Sequence, residues 1–290
     1  MKGRFTPPPS GCSPGESSIH RFGSAENLVD VISRIFDVPD DRIDYAAAKV
    51  AIDQVVDPQL DPAFVFCELD RLTIRAGELA RGDSRPSVKL GAVKRLLYEA
   101  GPWNERRPFR YDANDPTGRM IRNKLLHNYL RTRLGQCVSM PVLFLIIAKR
   151  LGLNVALACA PEHVFVRYTD EGKLAHNLET TSGGHPARDQ WYREKLPITD
   201  RSIESGIYLR SLSMREGVAV MASTAVDLLK SQGRFEEVIA LCEILLRHHP
   251  NDVSAMLWLG SACGNLAASC KRKTPTRSPR PPKCGLEPPT

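Results

Sequence analysis

No stretch of this 290-residue chain is apolar for long enough to cross a membrane. The apolar run from Pro141 to Ala148 falls far short of the roughly 20 residues that such a span needs. The opening residues, "MKGRFTPPPSGCSPGESS", hold no apolar segment of the kind that directs secretion, so a soluble, cytoplasmic protein with no membrane partner is expected. The eight cysteines include no C-x-x-C pair, and none lies beside histidines at zinc-finger spacing. In a reducing compartment most of them are expected to pack as small hydrophobes. No motif calls for a metal or a cofactor.

A broadly distributed positive charge is also missing. The formal net charge is +7, but residues 271–290 alone carry +5, leaving about +2 for the other 270. A basic, proline-rich tail attracts phosphate without reading a sequence, so nucleic acid is an unlikely partner. What is present is an ordinary globular composition, 42% apolar and 25% charged, in a chain long enough for a sizeable core.

Residues 1–22 are rich in Pro, Gly and Ser and read as disordered. Residues 23–101 read as a helical region. "SAENLVDVISRIF" opens on a serine cap and sets Leu28, Ile32 and Ile35 on one face. "IDYAAAKVAIDQVV" and "AFVFCELDRLTIRAGELARG" follow, broken by "DPQLDP"; "SVKLGAVKRLLYEAG" then runs to the stop signal Gly101-Pro102. The central region, 102–200, carries a loop with "YDANDP", a helix "MIRNKLLHNYLRTRLG", and a helix from Cys137 to Arg150 that tolerates Pro141 near its start. "NVALACA", "EHVFVRY" and "KLAHNLETT" read as strands, the last two joined as a hairpin by Asp170-Glu171-Gly172. The fold class is therefore α+β: helices, then a small antiparallel sheet.

Residues 215–268 are helical again. Gly233 sits in a helix–turn–helix with Phe235 opening the second helix and Pro250 closing it, which resembles a tetratricopeptide repeat. A single repeat buries its face poorly, so these helices pack on the main domain or the chain's end is aberrant. Residues 269–290 read as a basic, disordered tail.

Cys137 falls at a predicted helix N-terminus, where the dipole favours an anion. In "HVFVRY", His163, Phe165 and Arg167 share one face of a strand, and in the partner strand Asn177 and Glu179 share one. Across the hairpin Glu179 or Asn177 reaches the ring of His163. Nucleophile, base and orienting group then follow in the order Cys, His, acid. Cys159 reads as core; His176 faces away from Glu179; His248-His249 suit a helix C-terminus. "DANDP" reads as a capped turn, without the oxygen ligands of a calcium loop.

"GQCVSMPVLFLIIAKRLGL", "PEHVFVRY" and "NLETTSGG" resemble the transglutaminase-like superfamily, in particular the bacterial proteins described as regulators of sirC expression. The resemblance spans about residues 24–265. It implies a helical N-terminal region, a papain-like core and C-terminal tetratricopeptide repeats. It also implies a thiol site with Cys137 as nucleophile and His163 as base. The family's third position, usually aspartate, falls on Glu179 in "ETTSGG", one methylene longer.

Two functions compete on this reading. In one, Cys137, His163 and Glu179 act on an amide or peptide carbonyl, with hydrolysis or acyl transfer as the outcome and a backbone N–H near Cys137 as oxyanion donor. In the other, the chain is a non-catalytic scaffold whose helices bind a protein or peptide partner.

Overall fold

The computed structural model describes residues 27–273. Residues 1–22, the expected cap Ser24 and residues 274–290 of the basic tail lie outside the described residues. The first helix, α1 (Leu28–Ile35), starts three residues later than its sequence signal, with Asn27 Oδ1 accepting from the N–H of Val29 at 3.1 Å. Aspartates set the next two starts. Asp44 caps α2 (Tyr45–Val56), and Asp61 caps α3 (Pro62–Leu79), where Pro62 occupies the position that has no use for an N–H. Helix α4 (Pro86–Tyr98) completes the N-terminal helical layer.

The centre begins with a two-residue strand β1 (Arg110–Tyr111), then α5 (Leu126–Thr132), β2 (Leu134–Gly135), which pairs in parallel with β1, and α6 (Ser139–Arg150). Residues 120–135 do not form the single helix that their pattern suggests. A short 3-10 turn at Ile121–Lys124 is followed by an extended Leu125. Two distant side chains cause the break: Asp53 accepts from the N–H of Leu126 at 2.6 Å, and Lys49 Nζ donates to the carbonyl of Lys124 at 3.0 Å. Lys49 and Asp53 are wholly buried on α2 and paired at 2.7 Å.

Helix α6 is apolar all round, and every residue from Ser139 to Ala148 is buried, as expected of a helix at the centre of a domain. The helices α3, α4 and α5 pack on it, as does the sheet. That sheet is antiparallel, in the order β3 (Val155–Ala160), β4 (His163–Thr169), β5 (Ala175–Glu179), β6 (His185–Ala187). Leu157, Val166 and Leu178 join the main core, while Ala158, Ala160 and Phe165 meet Tyr192 and Leu209 in a second, smaller cluster. Most of the sheet's partners in that cluster come from α7 (Asp189–Lys195), α8 (Asp200–Glu204) and the segments that follow each. The fold is α+β, as the pattern indicates.

The C-terminal helices are α9 (Met214–Ser231), α10 (Phe235–His248) and α11 (Val253–Lys273). They answer the question of how so short a helical array is buried. Helix α9 lies against α2 so closely that a Cβ on Gly217 would fall 2.7 Å from Tyr45 Oη. Phe36, just past α1, stacks on His248 with ring centroids 4.2 Å apart. Among the described residues no helix is long and apolar enough to cross a membrane.

Candidate active site

Cys137 sits in a turn two residues before α6, not in its first turn. Pro141 is the reason. It has no N–H for the carbonyl of Cys137, so the helical ladder starts only with Val142 donating to Val138, although Met140 already donates to Gln136. The turn is held rigidly. Ser139 Oγ donates to the carbonyl of Asn123 at 2.7 Å and accepts from the N–H of Gln136 at 3.0 Å. Gln136 Nε2 donates to the carbonyl of Asp115 at 2.5 Å. Behind it, "DANDP" is the capped turn its residues suggest. Asp112 caps Asn114, Asp115 accepts from the N–H groups of Arg119 and Met120, and Asn123 Nδ2 bridges both carboxylates.

Gly135 allows this approach, because a Cβ there would meet Tyr129 Cδ2 at 2.5 Å and Ser139 Oγ at 2.7 Å. Gly135→Ala is expected to cost about 1–3 kcal/mol by overpacking, read as a lower thermal midpoint. An unchanged midpoint would show that Tyr129 and Ser139 yield freely.

The hairpin register pairs Arg167 with Asn177 and Val166 with Leu178, which sets Glu179 diagonally across from His163 on one face. His163 Nε2 donates to Glu179 Oε2 at 2.7 Å. Asn177, the other candidate orienting group, turns away to donate to Asp189 at 2.6 Å. Cys137 and His163 line the same cleft, and the sulfur is close enough to the ring to raise its pKa. With Nε2 committed to the carboxylate, Nδ1 is the nitrogen left for the thiol. Cys137 is half-buried and open to the cleft.

Glu179 is buried and fully engaged. Its Oε2 also accepts from Tyr192 Oη at 3.0 Å, and its Oε1 accepts from Thr181 N–H at 3.1 Å and Thr181 Oγ1 at 2.5 Å. Burial pushes its pKa upward, but the bonds from His163 and Thr181 outweigh this and hold it below the usual carboxylate range. Burial likewise opposes charge on His163. The hydrogen bonds to Cys137 and Glu179 prevail and raise it to about 9, so the ring is an imidazolium at neutral pH.

Sequence pattern did not single out Thr181, Tyr192 or Tyr111. Thr181 lies in the quoted "ETTSGG", and its position two residues after Glu179 is the usual spacing of a short capping turn. Tyr192 comes from α7 and stacks on Phe165 with centroids 4.4 Å apart; no local periodicity signals that contact. Tyr111 lines the cleft near Cys137 through the pairing of β1 with β2.

The cleft encloses about 870 Å³ and extends from these residues to α9 and α11. Cys159, expected in the core, is half-buried and lines it, and burial pushes its thiol up. His176 is exposed and pairs with Asp170 at 2.9 Å, away from Glu179. His249 is buried near Glu216. Among the described residues no three His, Cys, Asp or Glu side chains are placed to hold a metal ion.

Residues 65–199 match the family described as the transglutaminase-like superfamily. That stretch is similar to a transglutaminase-like domain. The matched stretch takes in part of α3, then α4 and α6 and the whole sheet, and contains Cys137, His163 and Glu179. The chain is also 24% identical over 207 residues to a UPF0162 protein of Buchnera aphidicola subsp. Schizaphis graminum (strain Sg), an alignment covering 70% of this chain and 73% of that protein. No solved structure matches.

Proposed function

We propose that the transglutaminase-like domain is a thiol acyltransferase or hydrolase acting on an amide or peptide carbonyl. The observation that carries this reading is the hydrogen bond between His163 and the Glu179 carboxylate, with Cys137 lining the same cleft close enough to influence the ring. The Cys137 thiolate attacks the carbonyl carbon, and the C=O electron pair moves onto oxygen. The backbone N–H of Cys137 makes no hydrogen bond within the described residues and is the natural donor to that oxyanion. Collapse breaks the C–N bond, and the leaving amine takes the proton of the His163 imidazolium. Water or an amine then attacks the thioester while His163 takes up the proton released. Glu179 keeps the ring in one tautomer throughout, and Tyr192 and Thr181 keep Glu179 in place.

A protein or peptide is the expected substrate, and the helices α9–α11, read as tetratricopeptide-like, supply a surface for it. The likeness to regulators of sirC expression adds a regulatory role, and a reducing cytoplasm suits a free thiol. A purely scaffolding role leaves the engaged Glu179–His163 pair without a use. Incubation with a glutamine-containing peptide tests the reading by mass: an acyl adduct on Cys137, absent from Cys137→Ala, is expected. A protein that neither releases ammonia nor forms the adduct overturns it.

A further inference from the structure

The cleft has a second wall that the proposed chemistry leaves unused. Leu257 of α11 lines it with 67% of its surface exposed, and its neighbour Trp258 lines it with Lys230 lying over the indole at 5.2 Å. Trp191, 44% exposed, stands on the transglutaminase-like side of the same cavity.

We infer that α11 reads the substrate, which is a polypeptide with a large apolar side chain beside the reacting carbonyl, seated against Leu257 and Trp258. This rests on the reading of Cys137 as the nucleophile.

Three observations choose this occupant. One cavity holds both the thiol and the α11 residues, so a molecule reacting at Cys137 lies alongside that wall. Little net charge is left around it. Lys124 is paired with Asp227 at 2.7 Å and His163 with Glu179, while the cations and anions left over, Lys195 against Glu162 and Asp252, do not favour a strongly charged ligand. Size supports this: a lone primary amide leaves most of about 870 Å³ empty, whereas a side group on the same chain as the reacting carbonyl adds bulk to fill the cavity that Leu257 lines. Covering exposed leucine and indole surface is the favourable contribution that such a side group makes.

The test uses two tetrapeptide halomethyl ketones that differ only in Phe or Gly next to the reactive carbonyl. Both alkylate a thiolate with loss of halide. Labelling of Cys137 is followed by mass and divided by its rate with iodoacetamide, in wild type, Leu257→Ser and Met256→Ser. Met256 is an exposed neighbour outside the cleft lining. The Phe probe is expected to label wild type about tenfold faster than the Gly probe. Leu257→Ser loses that advantage and Met256→Ser keeps it. Equal rates in wild type, or an advantage that survives Leu257→Ser, overturn the inference and leave the thiol chemistry standing. Sedimentation showing a wild-type dimer that Leu257→Ser separates assigns the wall to a second copy and overturns it too. A Cys137 that resists iodoacetamide as well removes the nucleophile, and this inference falls with it.

Discussion

His163→Ala is expected to slow amide turnover at Cys137 by about 10²–10⁴-fold at pH 7, the range lost when a positioned acid–base group is removed. Both roles proposed for it disappear together. The imidazolium no longer stabilises the attacking thiolate, and the leaving amine has no proton donor. The pH profile separates this from a structural effect. Because His163 is held up to about 9, wild-type turnover falls as pH rises through about 9, where the ring loses the proton that the amine needs. Glu179→Gln keeps a hydrogen-bonding group but removes the anion, so the same fall moves to lower pH. Tyr192→Phe, which removes one of four hydrogen bonds to Glu179, changes the profile far less. A profile in Glu179→Gln identical to wild type would show that the carboxylate does not tune His163.

The same shifts link the site to stability. The folded pKa of His163 lies above its unfolded value of about 6.5, so its contribution is complete below about 6.5 and fades as pH rises through about 9. Glu179 is lowered, so its contribution is present above about 4.5 and is lost as pH falls through its folded value. The pair therefore stabilises most between about pH 4.5 and 6.5. Denaturation of wild type and Glu179→Gln is expected to differ most in that window, with the difference narrowing as pH rises through about 9 and the His163 part is lost.

The pairing of His163 with Glu179 in the candidate site was readable from sequence because local rules place it. Alternation sets His163 and Glu179 on one face, and the turn at Asp170–Gly172 fixes which residues oppose each other. Caps at Asp44 and Asp61 mark α2 and α3 for the same reason: each uses its own neighbours' N–H groups. What escaped depends on partners far along the chain. The pattern of residues 120–135 is helical, yet Lys49 and Asp53, more than 70 residues earlier, capture the carbonyl of Lys124 and the N–H of Leu126 and break it. Strand β6 is three residues with a central proline, too short to announce itself. Alternation assigns Cys159 to the interior correctly as far as the sheet extends, but the end of β3 opens into the cleft. The α11 wall depends on the docking of α9 and α10 on α2 and α1, through contacts such as Gly217 with Tyr45 and Phe36 with His248 that no local pattern encodes.

The ion pair behind that broken helix makes the second large prediction. Both members are wholly buried, so removing one leaves the other charged without a partner: Asp53→Ala is expected to cost about 3–5 kcal/mol. In a protein of this size that lowers the thermal midpoint by about 10 °C. Lys49→Met should cost less than Asp53→Ala, because the carboxylate left behind still accepts from Leu126 N–H, whereas the stranded lysine has only the carbonyl of Lys124. The double variant Lys49→Met/Asp53→Leu removes both charges and fills the space. It should be markedly more stable than the sum of the single effects predicts, since neither buried charge is left to desolvate alone. Strict additivity would mean that the two side chains act through their separate backbone contacts and not as a pair. The residues from Lys124 to Leu126 lead directly through α5 and β2 to Cys137, so this pair anchors the segment that presents the thiol. Loss of Asp53 is therefore expected to loosen that segment before the rest of the fold, with amide hydrogen exchange at residues 124–130 rising ahead of exchange in α6.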